Sequence, residues 1–182
     1  MIGKGQFGEV YKGYHKETFW PVAIKVIHRK NLRGKMYELL ENEIKALRKC
    51  KNVNIIRLLD IKKTQNNIYL MMEYCNEGDM KDFIKKNGKL SELEALDIFI
   101  QILNGFKTLI KKKIVHRDFK HANILRQNGL IKIADFGFAK IMDDSSYTKT
   151  ILGSPLNMAP EIIAGKTYNN KCDIWSIGIC FY

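Results

Sequence analysis

Several stretches of this sequence gather reactive side chains. His116-Arg117-Asp118-Phe119-Lys120-His121-Ala122-Asn123 places an acid, a base and an amide in one short loop, and Asp135-Phe136-Gly137 brings a second carboxylate soon after it. Standing alone, Asp135-Phe136-Gly137 reads as an ordinary turn. Gly3-Lys4-Gly5-Gln6-Phe7-Gly8-Glu9-Val10 follows the pattern G-x-G-x-x-G-x-V. The dinucleotide-binding version of that pattern needs a strand before its glycines and a helix after them, whereas a β-rich segment follows here. A glycine-rich hairpin over phosphates suits this context, because a backbone without Cβ atoms can approach a ligand and offer it N–H donors.

Two charges stand where apolar side chains belong. Lys25 lies inside the run Val22 to Ile27, on the same strand face as Ala23 and Ile27. Glu43 lies four residues after Leu39 and four before Leu47, in the middle of a helical apolar stripe. Taken singly, they read as a snorkelling lysine and a glutamate at the edge of its stripe. Taken together, they read as an ion pair in which each charge offsets the other's burial, and the pair aims an ammonium at an anionic ligand.

Strands and one helix must position these groups in the first part of the chain. Glu9 to Tyr14, Val22 to Ile27 and Ile68 to Tyr74 read as strands, and Lys35 to Cys50 as a helix with apolar residues at 36, 39, 40, 44 and 47. After Gly78 the pattern turns helical. Ser91-Glu92-Leu93-Glu94 is a capping box opening a long helix whose apolar face reads as Leu96, Ile100, Leu103 and Ile110. Short strands follow at Ile114-Val115 and Leu130 to Ala134. The segment Asp173 to Tyr182 is apolar nearly all round, as in a helix buried on every side. A boundary near Cys75 to Gly78 divides residues 1–75 from 76–182.

Composition narrows the partners. The chain has 182 residues, 46% of them apolar, enough to bury a core. Its net charge is +12, but the lysines are dispersed and the longest basic run is Lys111-Lys112-Lys113. That pattern favours a solvated surface, hospitable to phosphates, over a nucleic-acid or membrane-surface site. No apolar run is long enough for a transmembrane segment, and the N-terminus lacks a secretory pattern. Cys50, Cys75, Cys172 and Cys180 show neither paired spacing nor nearby histidine clusters, so they read as reduced thiols of a cytosolic or nuclear protein.

On these motifs, in this order, the sequence resembles the eukaryotic protein kinase family. The resemblance runs from the glycine loop through Val22-Ala23-Ile24-Lys25, Glu43, His116-Arg117-Asp118, Asn123 and Asp135-Phe136-Gly137 to Ala159-Pro160-Glu161 and Asp173-Ile174-Trp175-Ser176-Ile177-Gly178. It implies an α+β bilobal kinase fold, with a β-rich N-lobe at residues 1–75 and a truncated helical C-lobe at 76–182. It also implies transfer of the γ-phosphoryl of ATP, with Mg²⁺, to hydroxyls of protein substrates.

By the same resemblance, Asp118 accepts or orients the substrate proton, Lys120 stabilises the transferring phosphoryl, Lys25 contacts the α- and β-phosphates, and Glu43 holds Lys25. Asn123 and Asp135 are the metal ligands. Gly3, Lys4, Gly5, Gln6, Phe7 and Gly8 cover the phosphates. Adenine lies between Val10 and Ala23 on one side and Leu125 on the other, with the hinge backbone at Glu73 and Cys75 reading its edge. Met72 is the gatekeeper, although a methionine in a buried strand is ordinarily core packing, and Asp79 meets the ribose. A regulatory stack maps onto Leu47, Leu58, His116 and Phe136, anchored by Asp173. Lys120 two residues after Asp118 is the Ser/Thr-kinase pattern. Arg117 marks switching by a phosphate, added by an upstream kinase or by autophosphorylation, with Thr150 as the acceptor and Ser145, Ser146 and Thr148 as alternatives.

The sequence also departs from the family. His121 stands where proline is usual, and Asn157 stands where an aromatic is common. The run Met71 to Asp79 together with Gly153-Ser154-Pro155 is similar to the autophagy-initiating, Atg/Unc-like branch. The C-lobe is expected to be incomplete, leaving Glu161 unpaired and Ile174, Trp175, Ile177, Ile179 and Phe181 partly exposed. An alternative is a truncated or non-catalytic kinase-like protein that binds nucleotide and regulates.

Overall fold

The computed structural model describes residues 1–5, 7–142 and 147–182. The first part of the chain forms β1 (Gly3–Lys4), β2 (Gly8–Tyr14), β3 (Pro21–His28), α1 (Lys35–Lys49), β4 (Leu58–Lys63) and β5 (Asn67–Glu73). The strands make one antiparallel sheet in the order β1-β2-β3-β5-β4. The β-branched run of β3 suits a central strand packed on both sides, and there Lys25 stands between Val10 of β2 and Leu70 of β5. α1 turns Leu39, Leu40, Glu43, Ala46 and Leu47 inward. Phe7, Ile27, Leu39, Leu40, Ile68 and Leu70 form the cluster that holds helix and sheet together.

The rest of the chain is largely helical: α2 (Met80–Asn87), α3 (Glu92–Lys111), β6 (Ile114–Val115), β7 (Ile124–Gln127), β8 (Leu130–Ile133), β9 (Lys140–Ile141), α4 (Pro160–Ile163) and α5 (Lys171–Phe181). β7 pairs with β8, and β6 with β9. Asp79 caps α2 by accepting from the Asp82 N–H, and Ser91 and Glu94 form the capping box of α3. The segment before β4 is tied to β8: Ile133 N–H donates to the Asn54 carbonyl and Ile56 N–H to the Ile133 carbonyl, each at 2.9 Å. Residues that carry the sheet and residues that carry the helices are thus stitched by backbone bonds.

One helix face differs from the sequence expectation, and a second differs at a single residue. In α3 the buried residues are Ile102, Gly105, Phe106 and Leu109, whereas Leu96, Ile100, Leu103 and Ile110 are exposed. The helix is apolar on two sides, and Gly105 decides between them. A Cβ there would lie 2.7 Å from Ile133 Cδ1 and 3.0 Å from the Asn54 carbonyl oxygen, so only a glycine lets the backbone approach β8 this closely. In α5 only the side bearing Cys172, Asp173, Ser176 and Ile177 is buried. As expected, Ile174, Trp175 and Ile179 are exposed and Phe181 is half-buried, packing edge-on against Phe99 at 4.7 Å, whereas Ile177 is a core residue. Among the described residues no helix is long and apolar enough to cross a membrane.

Candidate active site

β3 and α1 bring Lys25 and Glu43 together: Nζ lies 2.7 Å from Oε1, both side chains nearly inaccessible. Asp135 Oδ1 stands 3.6 Å from the same ammonium. Burial works against the Lys25 charge, but Glu43 and Asp135 outweigh it, so its pKa stands above the ordinary lysine value. Burial likewise pushes the Glu43 carboxyl up while Lys25 pulls it down. The two shifts point to opposite charge preferences; the short contact, with an acceptor carboxylate and a donor ammonium, decides for the ion pair. Glu43 Oε2 is buried without a hydrogen-bond partner among the described residues. Asp135 is opposed by burial too, yet Lys25, His116, the Gly137 N–H and Lys120 together hold its carboxyl below the usual range.

The glycine loop lies directly on this cluster. Gly5 N–H donates to the Gly8 carbonyl at 2.8 Å, and a Cβ at Gly5 would be 3.1 Å from Lys25 Cε. Phe7 is folded inward, 5% exposed, with the Lys25 ammonium 5.2 Å from its ring centroid. Expected among the residues covering a phosphate, Phe7 is here part of the core between α1 and the sheet. Gln6 lies outside the described residues.

A second cluster forms around Asp118. Its Oδ2 accepts from Lys120 Nζ at 2.8 Å and Asn123 Nδ2 at 3.0 Å, and its Oδ1 accepts from the Ser154 hydroxyl at 2.7 Å. Lys120 also donates to Ser154 Oγ at 2.8 Å. Ser154 was not singled out from sequence. The signal was its place in Gly153-Ser154-Pro155, a small hydroxyl residue ahead of Ala159-Pro160-Glu161. Asn123 spends its amide N–H groups on the Asp118 carbonyl and carboxylate, which leaves its Oδ1 without a protein partner among the described residues. That oxygen and the Asp135 carboxylate are the hard donors a small divalent cation takes alongside phosphate oxygens and water.

The two clusters share a rigid support. Asp173 accepts the backbone N–H groups of His116 and Arg117 at 2.7 and 2.8 Å. The His116 ring meets Phe136 edge-on at 4.9 Å and lies 3.1 Å from the Ala134 carbonyl through Nε2. Leu47 and Phe136 belong to the large core cluster, with Leu58 packed against it. The segment carrying Asp118 and the one carrying Asp135 are therefore held by one buried column.

Around the cleft, Ala23 pairs with Met72 across β3 and β5, and Met72 packs against the core. Leu125 forms an isolated bridge with Asp79, whose side chain is engaged as the α2 cap. Cys75 is half-buried, and burial and Glu73 push its thiol up to about 12. The Glu73 side chain has a role sequence reasoning missed. Both of its oxygens accept from Lys132 Nζ, at 3.0 and 2.9 Å, and Oε1 also takes the Arg57 N–H at 2.7 Å. Lys132 is only 6% exposed. Lys25 and Lys132 are both buried lysines in apolar strands, but only Lys25 had a visible partner in sequence.

Among the acceptor candidates, Thr148 is buried and takes a hydrogen bond from Lys140 at 3.2 Å, which removes it from solvent. Thr150 is half-buried, its carbonyl accepting from the Tyr168 hydroxyl. Ser145 and Ser146 lie outside the described residues. Arg117 Nε donates to the Phe138 carbonyl at 2.6 Å. The two departures meet at one place: His121 Nε2 lies 2.8 Å from the Cys180 carbonyl, and Asn157 Nδ2 reaches Cys180 Sγ at 3.6 Å. Glu161 makes no ion pair among the described residues.

Comparison with known proteins agrees with this arrangement. The chain is 44% identical to the serine/threonine-protein kinase atg1 of Dictyostelium discoideum, 42% to the serine/threonine-protein kinase ULK1 of Homo sapiens and 40% to the serine/threonine-protein kinase unc-51 of Caenorhabditis elegans. Each match covers all of this chain, which spans 29%, 18% and 23% of those relatives. The model of the protein kinase domain family matches residues 1–182. The chain belongs to the protein kinase domain family.

Proposed function

We propose that the chain carries the catalytic machinery of a serine/threonine kinase, which transfers the γ-phosphoryl of ATP to a hydroxyl of a protein substrate. The observation that carries this reading is the contact set of Asp118. One carboxylate oxygen already accepts from a hydroxyl, that of Ser154, while the other is held by Lys120 and Asn123. A substrate hydroxyl presented beside Ser154 meets an oriented acceptor for its proton and, in Lys120, a cation for the oxygens of the transferring group. Lys25, kept charged by Glu43, grips the α- and β-phosphates. Val10, Ala23 and Leu125 clasp the base, with the Glu73 and Cys75 backbone at its edge, Met72 behind it and Asp79 near the sugar. Gly3, Lys4, Gly5 and Gly8 close over the phosphates.

Asn123 Oδ1 and Asp135 supply the oxygen donors that fit Mg²⁺, which when bound there neutralises phosphate charge during transfer. We assign residues 1–75 to the N-lobe and 76–182 to the C-lobe, and place the working chain in the cytoplasm, where its four free thiols stay reduced. Thr150 is the acceptor for a switching phosphate that would neutralise Arg117.

Radiolabelled γ-phosphate transfer to a generic basic protein tests this reading. Transfer by the chain with Mg²⁺, abolished in both Asp118→Asn and Asp135→Asn, supports it. Nucleotide binding without transfer would refute it and favour the regulatory alternative.

A further inference from the structure

The turn joining β2 to β3 carries the most exposed cluster of aromatic side chains away from the helices: Tyr14 is 60%, Phe19 75% and Trp20 73% exposed. The turn is fixed rather than loose. His15 N–H donates to the Trp20 carbonyl and Phe19 N–H to the His15 carbonyl, both at 2.9 Å, and Thr18 N–H reaches His15 Nδ1 at 3.3 Å. Phe19 also has a φ of 54°, in the left-handed region. Glycine or asparagine fills such a position at least cost, and a bulky side chain there is strained. A strained, ordered, solvent-facing phenylalanine beside an exposed tryptophan gains nothing from packing within the chain.

Two lysines flank these aromatics. Lys12, in β2 behind the turn, has its ammonium 5.5 Å from the Tyr14 ring centroid and 4.7 Å from that of Tyr74, and Lys16 stands at the turn itself, where Glu17 offsets its charge. Glu17 is the turn's one carboxylate, and the whole chain carries +12. Amphipathic aromatics at a protruding tip, flanked by lysines on a positively charged body, match an anionic lipid surface: the rings enter the headgroup layer and the ammonium groups meet lipid phosphates and carboxylates. A turn between two strands offers a ridge rather than a groove, so it suits a deformable planar surface better than a peptide. The strand register puts Gly8 opposite Ile27 at one end of the hairpin and Tyr14 opposite Pro21 at the other. The tip therefore lies about 20 Å of strand away from the glycine loop.

We propose that the β2–β3 turn, through Phe19 and Trp20 with Lys12 and Lys16 behind them, is a membrane-contact tip that binds anionic bilayers and leaves the cleft open. The chain has two tryptophans, so in the full chain bearing Trp175→Phe, Trp20 becomes the only indole. With vesicles of phosphatidylcholine and phosphatidylserine, its emission is expected to shift to the blue and to be quenched by bromine-labelled acyl chains. Vesicles of phosphatidylcholine alone are expected to produce neither effect. Cosedimentation with the anionic vesicles should weaken about tenfold in Phe19→Ser/Trp20→Ser, a double variant at exposed positions whose fold is checked by circular dichroism. Raising salt should weaken it in the parent. An unmoved Trp20 spectrum overturns the proposal and marks the tip as a feature for a protein partner. Vesicle binding that survives the double variant overturns it too, and assigns adhesion to the exposed apolar face of α3.

Discussion

Removing the Glu73 carboxylate's charge should cost more than removing its lysine partner, and removing both should cost least. Glu73 and Lys132 sit 2.9 Å apart, and opposite charges at that distance attract by roughly 6 kcal/mol at an effective dielectric near 20, before desolvation is counted. Desolvation consumes much of this, so the pair matters chiefly through what is left when one member goes. In Glu73→Gln, the ammonium of Lys132, only 6% exposed, stays inside without an anion, and the loss should be about 3 kcal/mol. In Lys132→Met, the remaining carboxylate keeps the Arg57 N–H at 2.7 Å and a side chain 18% open to water. That loss should be about 1 kcal/mol. The double variant leaves no unpaired charge and replaces the lysine stem with an apolar one, so it should stand within about 1 kcal/mol of the parent. In thermal unfolding followed by circular dichroism, Glu73→Gln should melt about 6 to 12 °C lower, and the double variant should recover most of that. Additive losses, with the double variant the least stable of the three, would refute the coupling and with it the view that this pair joins the hinge to β8.

Four further outcomes follow from the same geometry. The stability contribution of Asp135, whose carboxyl is held low, is complete above the unfolded carboxylate value near 4 and disappears as pH falls through its lower folded value; the difference in urea midpoint between parent and Asp135→Asn should therefore be flat above about pH 5 and shrink below it. Cys75, pushed up to about 12 from 9.0, carries about a thousandfold less thiolate than an ordinary thiol, so mass spectrometry should find it alkylated far more slowly by iodoacetamide than free cysteine at the same pH. Gly105→Ala should destabilise by about 1 to 3 kcal/mol in denaturant titration, because the added Cβ meets a backbone carbonyl at 3.0 Å. Phe7→Ala should destabilise by about 3 to 5 kcal/mol in denaturant titration, because Phe7 is 5% exposed in the cluster between α1 and the sheet; a loss below about 1 kcal/mol would show that the ring carries little of that packing.

What sequence could show depended on whether the cause was local. The G-x-G-x-x-G-x-V pattern, the strand around Lys25 and the capping box at Ser91 are set by neighbours in the chain, and each appears where the pattern puts it. The Lys25–Glu43 pair was also readable, because two charges in apolar patterns need each other. The α3 face was not. With apolar residues on two sides, periodicity alone cannot choose, and the choice falls to Gly105 meeting Asn54 and Ile133, contacts about fifty and about thirty residues away. Ser154 and Lys132 were hidden for the same reason: a serine in a loop and a lysine in a strand are ordinary until the fold supplies Asp118 and Glu73.

The same distinction explains how the site holds its charges. Lys25 has Glu43, Asp135 and the Phe7 ring around its ammonium, and Lys120 has Asp118 and Ser154. Lys25 is therefore paired with groups on other segments and Lys120 with its own loop and Ser154, and the anions are in turn held by a helix, a strand or the column above Asp173. On the proposed reading, a phosphate reaching Lys25 would meet a charge cluster already formed, and Asp135, at 3.6 Å the more distant of its two carboxylates, is the partner it would exchange with. That exchange is cheap only while Glu43 remains, because without it Lys25 would hold to Asp135 as its sole anion. On that reading the buried glutamate would act through the freedom it gives Asp135 to turn toward a cation, as much as through its 2.7 Å grip on the lysine.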